Sequence, residues 1–294
     1  MVNVLKEMGV RHGGSSGPAR VRRTRGAIDH LFVGIICVAV LVVLVFIVDR
    51  LSAAAPSEPR RVVILIGEDE YKTWETLPAF AERELAPRGY KVRVIQQDTA
   101  DKHRFPGLVE ALTEADLLIV SVRRRSPPTD QLDAIRRHLG HGKPLLAIRT
   151  ASHAFAVRGA DQEELAKHPE RAEWLEFDRE VLGGNYSGHH GAGPITTITL
   201  ATGGENHPIA EGLEFGEWRS EASLYKSGPI VAEARALLIG EIPGRPPEPV
   251  AWIHLYGGRK ARVFYTSLGH ESDFANPQFR RLLVNAVAWG LEGE

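Results

Sequence analysis

The sequence predicts an α/β domain, a mainly parallel sheet with helices on both faces, preceded by one transmembrane helix. Three observations predict it. An uncharged apolar run of eighteen residues, Leu31 to Val48, follows a basic leader. About 235 residues remain beyond it, a size suited to one large α/β fold. Within that remainder, β-rich apolar runs alternate with amphipathic helical stretches, the pattern of βαβ units.

Residues 1–30 form the basic tail, with Lys6, Arg11, Arg20, Arg22, Arg23 and Arg25 against Glu7 and Asp29. Residues 31–48, LFVGIICVAVLVVLVFIV, are just long enough to cross a bilayer core at 1.5 Å per residue and carry no polar face. The excess of positive charge before the run puts the N-terminus in the cytoplasm and the domain on the periplasmic or extracytoplasmic side. A cleaved signal peptide is the competing reading, because Ala53, Ala54 and Ala55 offer a peptidase site; the long charged leader and long apolar run favour an uncleaved anchor. Residues 49–59, rich in Ala, Pro and Ser, read as a linker, and residues 60–294 as the domain.

In the domain, Val62 to Ile66 reads as the first strand and Thr76 to Arg88 as a helix stopped by Gly89. A strand over Lys91 to Ile95, a helix over Leu108 to Glu114 and a nearly all-apolar strand over Leu117 to Val122 follow, the last as expected for burial on both faces. A helix over Asp130 to Leu139 starts after Pro127, Pro128 and Thr129, and the buried strand Pro144 to Ile148 is broken by RTASHAF. Further strands are expected over Ile195 to Leu200, Ala236 to Ile239, Val250 to Ile253 and Arg262 to Thr266, and a closing helix over Pro277 to Leu291.

Composition removes several functions. With 36 Lys and Arg against 37 Asp and Glu, interspersed along the chain, the electrostatic footprint of a nucleic-acid binder is missing. The only cysteine, Cys37, lies inside the apolar run, so disulfides, thiolate-held metals and a cysteine nucleophile are excluded for the domain. Neither GxGxxG nor GxxxxGK[ST] occurs.

Ligands of open α/β sheets sit beyond the carboxyl ends of the strands, where strand order reverses. After the first strand come Glu68, Asp69, Glu70, Tyr71 and Trp74; after the third, Arg123, Arg124 and Arg125; after the fourth, Arg149, Thr150, Ser152 and His153. Such mixed charges suit a polyol or an anionic substrate, although a run of arginines is also the composition of a solvated, ion-paired rim. NYSGHHGAG supplies Tyr186, His189 and His190, and YTSLGHES supplies His270 and Glu271 just past a strand end, where histidine serves as acid, base or ligand. No compact zinc spacing is present, so no cofactor is expected and a divalent metal is the minority alternative. His207, before Pro208, reads as a turn residue.

These residues carry a resemblance. VVILIGEDEYKTWETLP, ADLLIVSVRRR, KPLLAIRTASHAF, VLGGNYSGHHG, HPIAEGL and PVAWIHLYGGRKARVFYTSLGHESDFANPQFRRLLVNAVAWGL together resemble the ThuA-like (trehalose utilisation) domains. That family shares the flavodoxin-like sheet of class I glutamine amidotransferases. The resemblance places Arg149 where the amidotransferase cysteine would stand on its sharp turn. It also equates the late catalytic histidine with His270, followed at once by Glu271. Glutaminase activity is therefore not expected. Where many members carry an acidic DELY segment, this chain reads SEASLYKS, leaving Glu221 and Tyr225 as the nearest equivalents.

The resemblance implies carbohydrate catabolism, of trehalose or keto-disaccharides. One expectation is an enzyme with His270 as acid or base, Glu271 as its orienter, and Arg149 with His153 polarising the sugar. Glu68, Tyr71, Trp74, Arg123, Ser152, Tyr186, His189 and His190 would then bind the sugar. The alternative is a non-catalytic sugar-binding or scaffold domain on the same fold. Expected partners are a small-molecule carbohydrate, the lipid bilayer through residues 31–48 and, as an open alternative, a second copy of the chain.

Overall fold

In the computed structural model of the protein, residues 58–292 are described, so the anchor expected over residues 31–48 lies outside them. Among the described residues no helix is long and apolar enough to cross a membrane. One sheet organises the domain. Its strands are β1 (Arg61–Gly67), β2 (Lys91–Gln96), β3 (Leu117–Val122), β4 (Leu145–Ile148), β5 (Thr196–Leu200), β6 (Arg219–Ser220), β7 (Arg235–Glu241), β8 (Glu248–Tyr256) and β9 (Ala261–Thr266), in the order β2-β1-β3-β4-β9-β8-β7-β5-β6.

The mainly parallel sheet expected from sequence is instead mixed. The run from β2 to β9 is parallel, and β8, β7, β5 and β6 continue it antiparallel. The reason lies in the connections. Between β7, β8 and β9 the chain has only short links, Ile242 to Pro247 and Gly257 to Lys260, too short for the crossover that a parallel pair requires.

Of the parallel half, β1, β3 and β4 are buried on both faces while the edge strand β2 keeps Lys91, Arg93 and Gln96 outward, and each face of the sheet has its own helices. Val62, Ile64 and Ile66 of β1 pack with Leu77 and Phe80 of α1 (Thr73–Phe80) and with Phe279, Leu282 and Leu283 of α5 (Pro277–Leu291). Val63 and Leu65 point the other way, toward Leu108 and Leu112 of α2 (Leu108–Glu114) and Leu132 and Ile135 of α3 (Thr129–Gly140). Each such side chain, fully buried, is worth about 1.5–3 kcal/mol. The short α4 (Ala160–Leu165) buries nothing.

The helix expected over Thr76 to Arg88 begins three residues earlier and runs on beyond α1 as a π-helical turn, Ala81–Leu85, and a 3₁₀ turn, Ala86–Arg88. Pro78 and Pro87 each withhold a backbone N–H, so the ladder is redrawn around them. The break expected at RTASHAF is a 3₁₀ turn, Arg149–His153, whose first residue has φ of 46°.

Candidate functional site

The carboxyl ends of β1, β3 and β4 open into a cavity of about 580 Å³, inside the roughly 300–1,000 Å³ of small-molecule sites. Three loops and one ribbon build its walls. The β1 loop is held from within by Glu68, whose carboxylate is buried and accepts hydrogen bonds from the backbone N–H groups of Glu70, Tyr71 and Thr73 and from the Thr73 hydroxyl, all at 2.6–2.8 Å. These donors include an unpaired N–H of the first turn of α1, which the carboxylate satisfies. Glu68 therefore shapes the loop that presents Tyr71 and has no lone pair to spare for a sugar.

The β3 loop is laced to the turn after β4, because the N–H groups of Arg124 and Arg125 donate to the carbonyls of His153 and Ala154 at 3.0 and 2.7 Å. Arg124 sits at φ 52° to make both bonds. The fourth wall is a ribbon in which the Gly-rich segment 185–190 runs against Leu224 to Ser227. Its bonds include Ser187 N–H to Lys226 carbonyl at 3.0 Å and Lys226 N–H to Gly188 carbonyl at 2.9 Å. Tyr186 and Tyr225 are thereby held at 4.7 Å between ring centroids, and the His153 ring stacks on Tyr186 at 4.7 Å.

A π-helical turn, Phe177–Leu182, delivers a carboxyl group to this wall. Its last carbonyls are capped by side chains of β8: Trp252 donates to Leu182 at 2.6 Å, and the Nδ1 of His254 lies 2.9 Å from the carbonyl of Val181. Asp178 Oδ2 accepts from the N–H of Tyr186 at 2.7 Å, whereas Oδ1 is buried without a partner. Burial pushes this carboxyl up from its ordinary 3.8 to about 6, against the lowering effect of the Tyr186 N–H. Gly183 turns the chain at φ 74°, and at Gly184 a Cβ would lie 2.5 Å from Asp178 Oδ1, so the glycine pair is what lets the loop fold over the carboxyl.

Beneath the cavity lies Arg149, on the sharp turn after β4. Its side chain is 1% exposed, its guanidinium sits 4.1 Å from the Tyr71 ring centroid and 4.6 Å from that of Tyr225, and it donates to the Ser267 carbonyl at 2.8 Å. Two cation–π contacts in a dry setting hold both rings in place. The turn is sharp at this position, with Arg149 at φ 46°, but its side chain is sealed rather than presented.

Of the residues expected from sequence, Tyr71, Arg123, Ser152, His153, Tyr186 and His189 line the cavity. Glu68, Arg149 and Trp74 do not, and Trp74 faces a separate recess with Asp98 and Lys102. His190 is half-buried beside Glu248, 3.8 Å away. His270 stands behind Tyr71, with ring centroids 5.9 Å apart, and caps the 3₁₀ turn Glu271–Ala275 by accepting from the N–H of Ser272 at 3.2 Å. The expected orienter, Glu271, instead pairs with Lys72 at 2.9 Å, and the hydroxyl of Ser272, 2.8 Å from His270 Nδ1, occupies that role. The reason is local: Glu271 begins the turn that His270 caps, and its side chain leaves toward solvent. His207 likewise caps a short turn, accepting from the N–H of Ile209.

Sequence reasoning missed Asp178, Arg158 and Arg179, which also line the cavity. The Gly183–Gly184 pair was the one local signal for Asp178; nothing near Arg158 or Arg179 marked them. His153 stays neutral, because burial and then the charges of Arg124, Arg123, Arg158 and Arg149 drive it well below 6.5. Among the described residues no group of three or more His, Asp or Glu is placed to hold a metal ion.

A sequence profile of the ThuA family, described as trehalose utilisation, matches residues 61–290. The chain belongs to the ThuA family. Two solved ThuA-like proteins share its fold. One from Bacteroides uniformis has 16% identity and a TM-score of 0.57, covering 81% of this chain and 93% of its own. Another, from Parabacteroides merdae, has 16% identity and a TM-score of 0.56, covering 80% and 91%. No curated protein matches the sequence. Membership assigns this ThuA domain to trehalose utilisation at the level of the family; what the cavity does chemically rests on its own residues.

Proposed function

We propose that the protein is a carbohydrate-processing enzyme that binds a disaccharide, trehalose or a keto-sugar, in the cavity beyond β1, β3 and β4. Asp178 is its proton-transferring group. The observation that carries this reading is Asp178 itself: a carboxyl raised to about 6, with one oxygen unpartnered, on the wall of a cavity that also holds stacked rings. A pKa close to working pH is what general acid or base catalysis requires. Tyr186, partly exposed and backed by the buried ring of Tyr225, offers the surface on which a sugar ring can rest, and neutral His153 can hydrogen-bond a hydroxyl.

A second reading, a sugar-binding module without turnover, draws on the sealed state of Arg149 and the capping role of His270, the two residues that stand in the amidotransferase catalytic places. One experiment separates them. Trehalose and keto-disaccharides are offered to the protein and to Asp178→Asn while affinity and product are both followed. The enzyme reading expects turnover to fall by about 10²-fold or more with affinity nearly kept; binding with no product from the parent under any sugar supports the module instead.

The cellular setting in this proposal is the far side of a membrane, with residues 31–48 as the anchor. The uncharged run after a basic leader supports it. The whole protein should sediment with membranes and be cut by protease only from the outer face; a soluble protein after gentle lysis refutes the anchor.

A further inference from the structure

Four arginines, Arg123, Arg124, Arg158 and Arg179, line the cavity, together with the acidic residues Glu70, Glu176 and Asp178. Glu70 is bound to Arg123 at 2.8 Å. Asp178 keeps its proton to about 6, so below that it adds no negative charge. Even above that pH, with Asp178 ionised, four cations face three carboxylates, one of them already engaged, so positive charge stays in excess. The imbalance concentrates at Arg124, whose affinity for its proton is depressed by burial and then by Arg158, with Arg123 adding to the effect. Arg124 donates from Nη1 to the Ala156 carbonyl at 3.2 Å, yet its Nε is buried with no partner. An unsatisfied donor on a cation, crowded by like charges, is a costly arrangement unless something occupies it.

A neutral sugar hydroxyl can accept from Arg124 but leaves the excess charge in place. An oxyanion does both, and guanidinium is the group best matched to it in geometry. Building on the carbohydrate reading above, we propose that the cavity takes a sugar bearing an anionic group, a carboxylate or a phosphate monoester, seated against Arg124 and Arg158. Tyr186 and Tyr225 lie on the same wall, so the ring and the anion of one small molecule are met together.

The test is calorimetry on the whole protein with trehalose, trehalose 6-phosphate, a uronic-acid disaccharide and inorganic phosphate, repeated for Arg158→Gln and Arg124→Gln. Arg158 is exposed, so its replacement leaves the fold untouched and keeps the test valid if Arg124→Gln fails to fold. At least one charged sugar should bind about tenfold or more tightly than trehalose, the worth of a hydrogen bond between charged groups. The advantage should shrink in both variants and with rising salt. The preferred sugar identifies the anion. If trehalose binds as well as both charged sugars and Arg158→Gln changes nothing, the anion seat is wrong while the carbohydrate reading stands. If inorganic phosphate binds as tightly as trehalose 6-phosphate and trehalose not at all, the anion seat stands and the carbohydrate reading falls. Failure of every probe to bind overturns both.

Discussion

Replacing Asp178 by Asn should stabilise the protein at neutral pH and not at acid pH. The carboxyl titrates near 6 in the fold and near 3.8 unfolded. At about 1.36 kcal/mol for each unit of pKa, the difference is worth about 3 kcal/mol. The sign follows from which state holds the proton. Below 3.8 both states are protonated and the site is neutral in its effect. Between 3.8 and 6 the unfolded chain releases its proton while the folded chain keeps it, so stability falls as pH rises. Above 6 the folded protein carries a buried carboxylate with one unpartnered oxygen, and the penalty is complete. Asn cannot ionise and keeps an oxygen for the N–H of Tyr186. Urea unfolding of parent and variant at about pH 4 and pH 7.5 should show a gap growing from near zero to about 2–3 kcal/mol in favour of Asn. A variant that is less stable at pH 7.5, or a gap that does not change with pH, refutes the assignment of the raised carboxyl. If Asp178 donates a proton in turnover, activity should also fall as pH rises through about 6.

Arg149→Met keeps most of the volume between Tyr71 and Tyr225 but removes the bond to Ser267 and both cation–π contacts; thermal unfolding should show a loss of about 2–4 kcal/mol, and a loss below 1 kcal/mol would mean the charge is not holding the rings. His270→Ala should cost about 0.5–2 kcal/mol by uncapping Glu271–Ala275, and His270→Asn, a better cap, should restore it; if turnover is lost in both variants alike, the ring has a chemical role beyond the cap. The parent should release no ammonia from glutamine and should ignore thiol-alkylating reagents at its domain, since Cys37 is its only cysteine; measurable glutaminase activity would overturn the expectation that Arg149 stands where a catalytic cysteine would be needed.

The centre of the parallel half was legible because its strands announce themselves: VVILI is apolar at every position and LLIVSV at all but Ser121, as expected of strands covered on both sides. The antiparallel half was legible as strands but not as a direction, since Arg235–Glu241 and Glu248–Tyr256 carry no mark of which neighbour they choose. The residue pair β6, two residues long, left no periodicity to read. In the site, positions just past strand ends were readable, which is how Tyr71, Arg123, Ser152 and His153 emerged. Asp178, Arg158 and Arg179 come from irregular segments that reach the cavity through tertiary packing alone, and no local spacing encodes that. Glu68 and His270 show the converse error: residue type and position suggested chemistry, but short-range backbone donors had already claimed the carboxylate and the ring nitrogen.

The place of β9 has a consequence for how the chain is made. This strand lies at the middle of the sheet, paired in parallel with β4 and antiparallel with β8, yet it is the last strand to be synthesised. Until Ala261–Thr266 leaves the ribosome, β4 and β8 each present an open edge, and the two halves of the sheet have nothing to join them. Pairings so distant in sequence form slowly, and nascent edges of this kind invite intermolecular association. Loss of the last few tens of residues would therefore not trim the domain but leave two unpaired half-sheets. Production of the protein should depend more on chaperone supply and growth temperature than on any substitution in its surface loops.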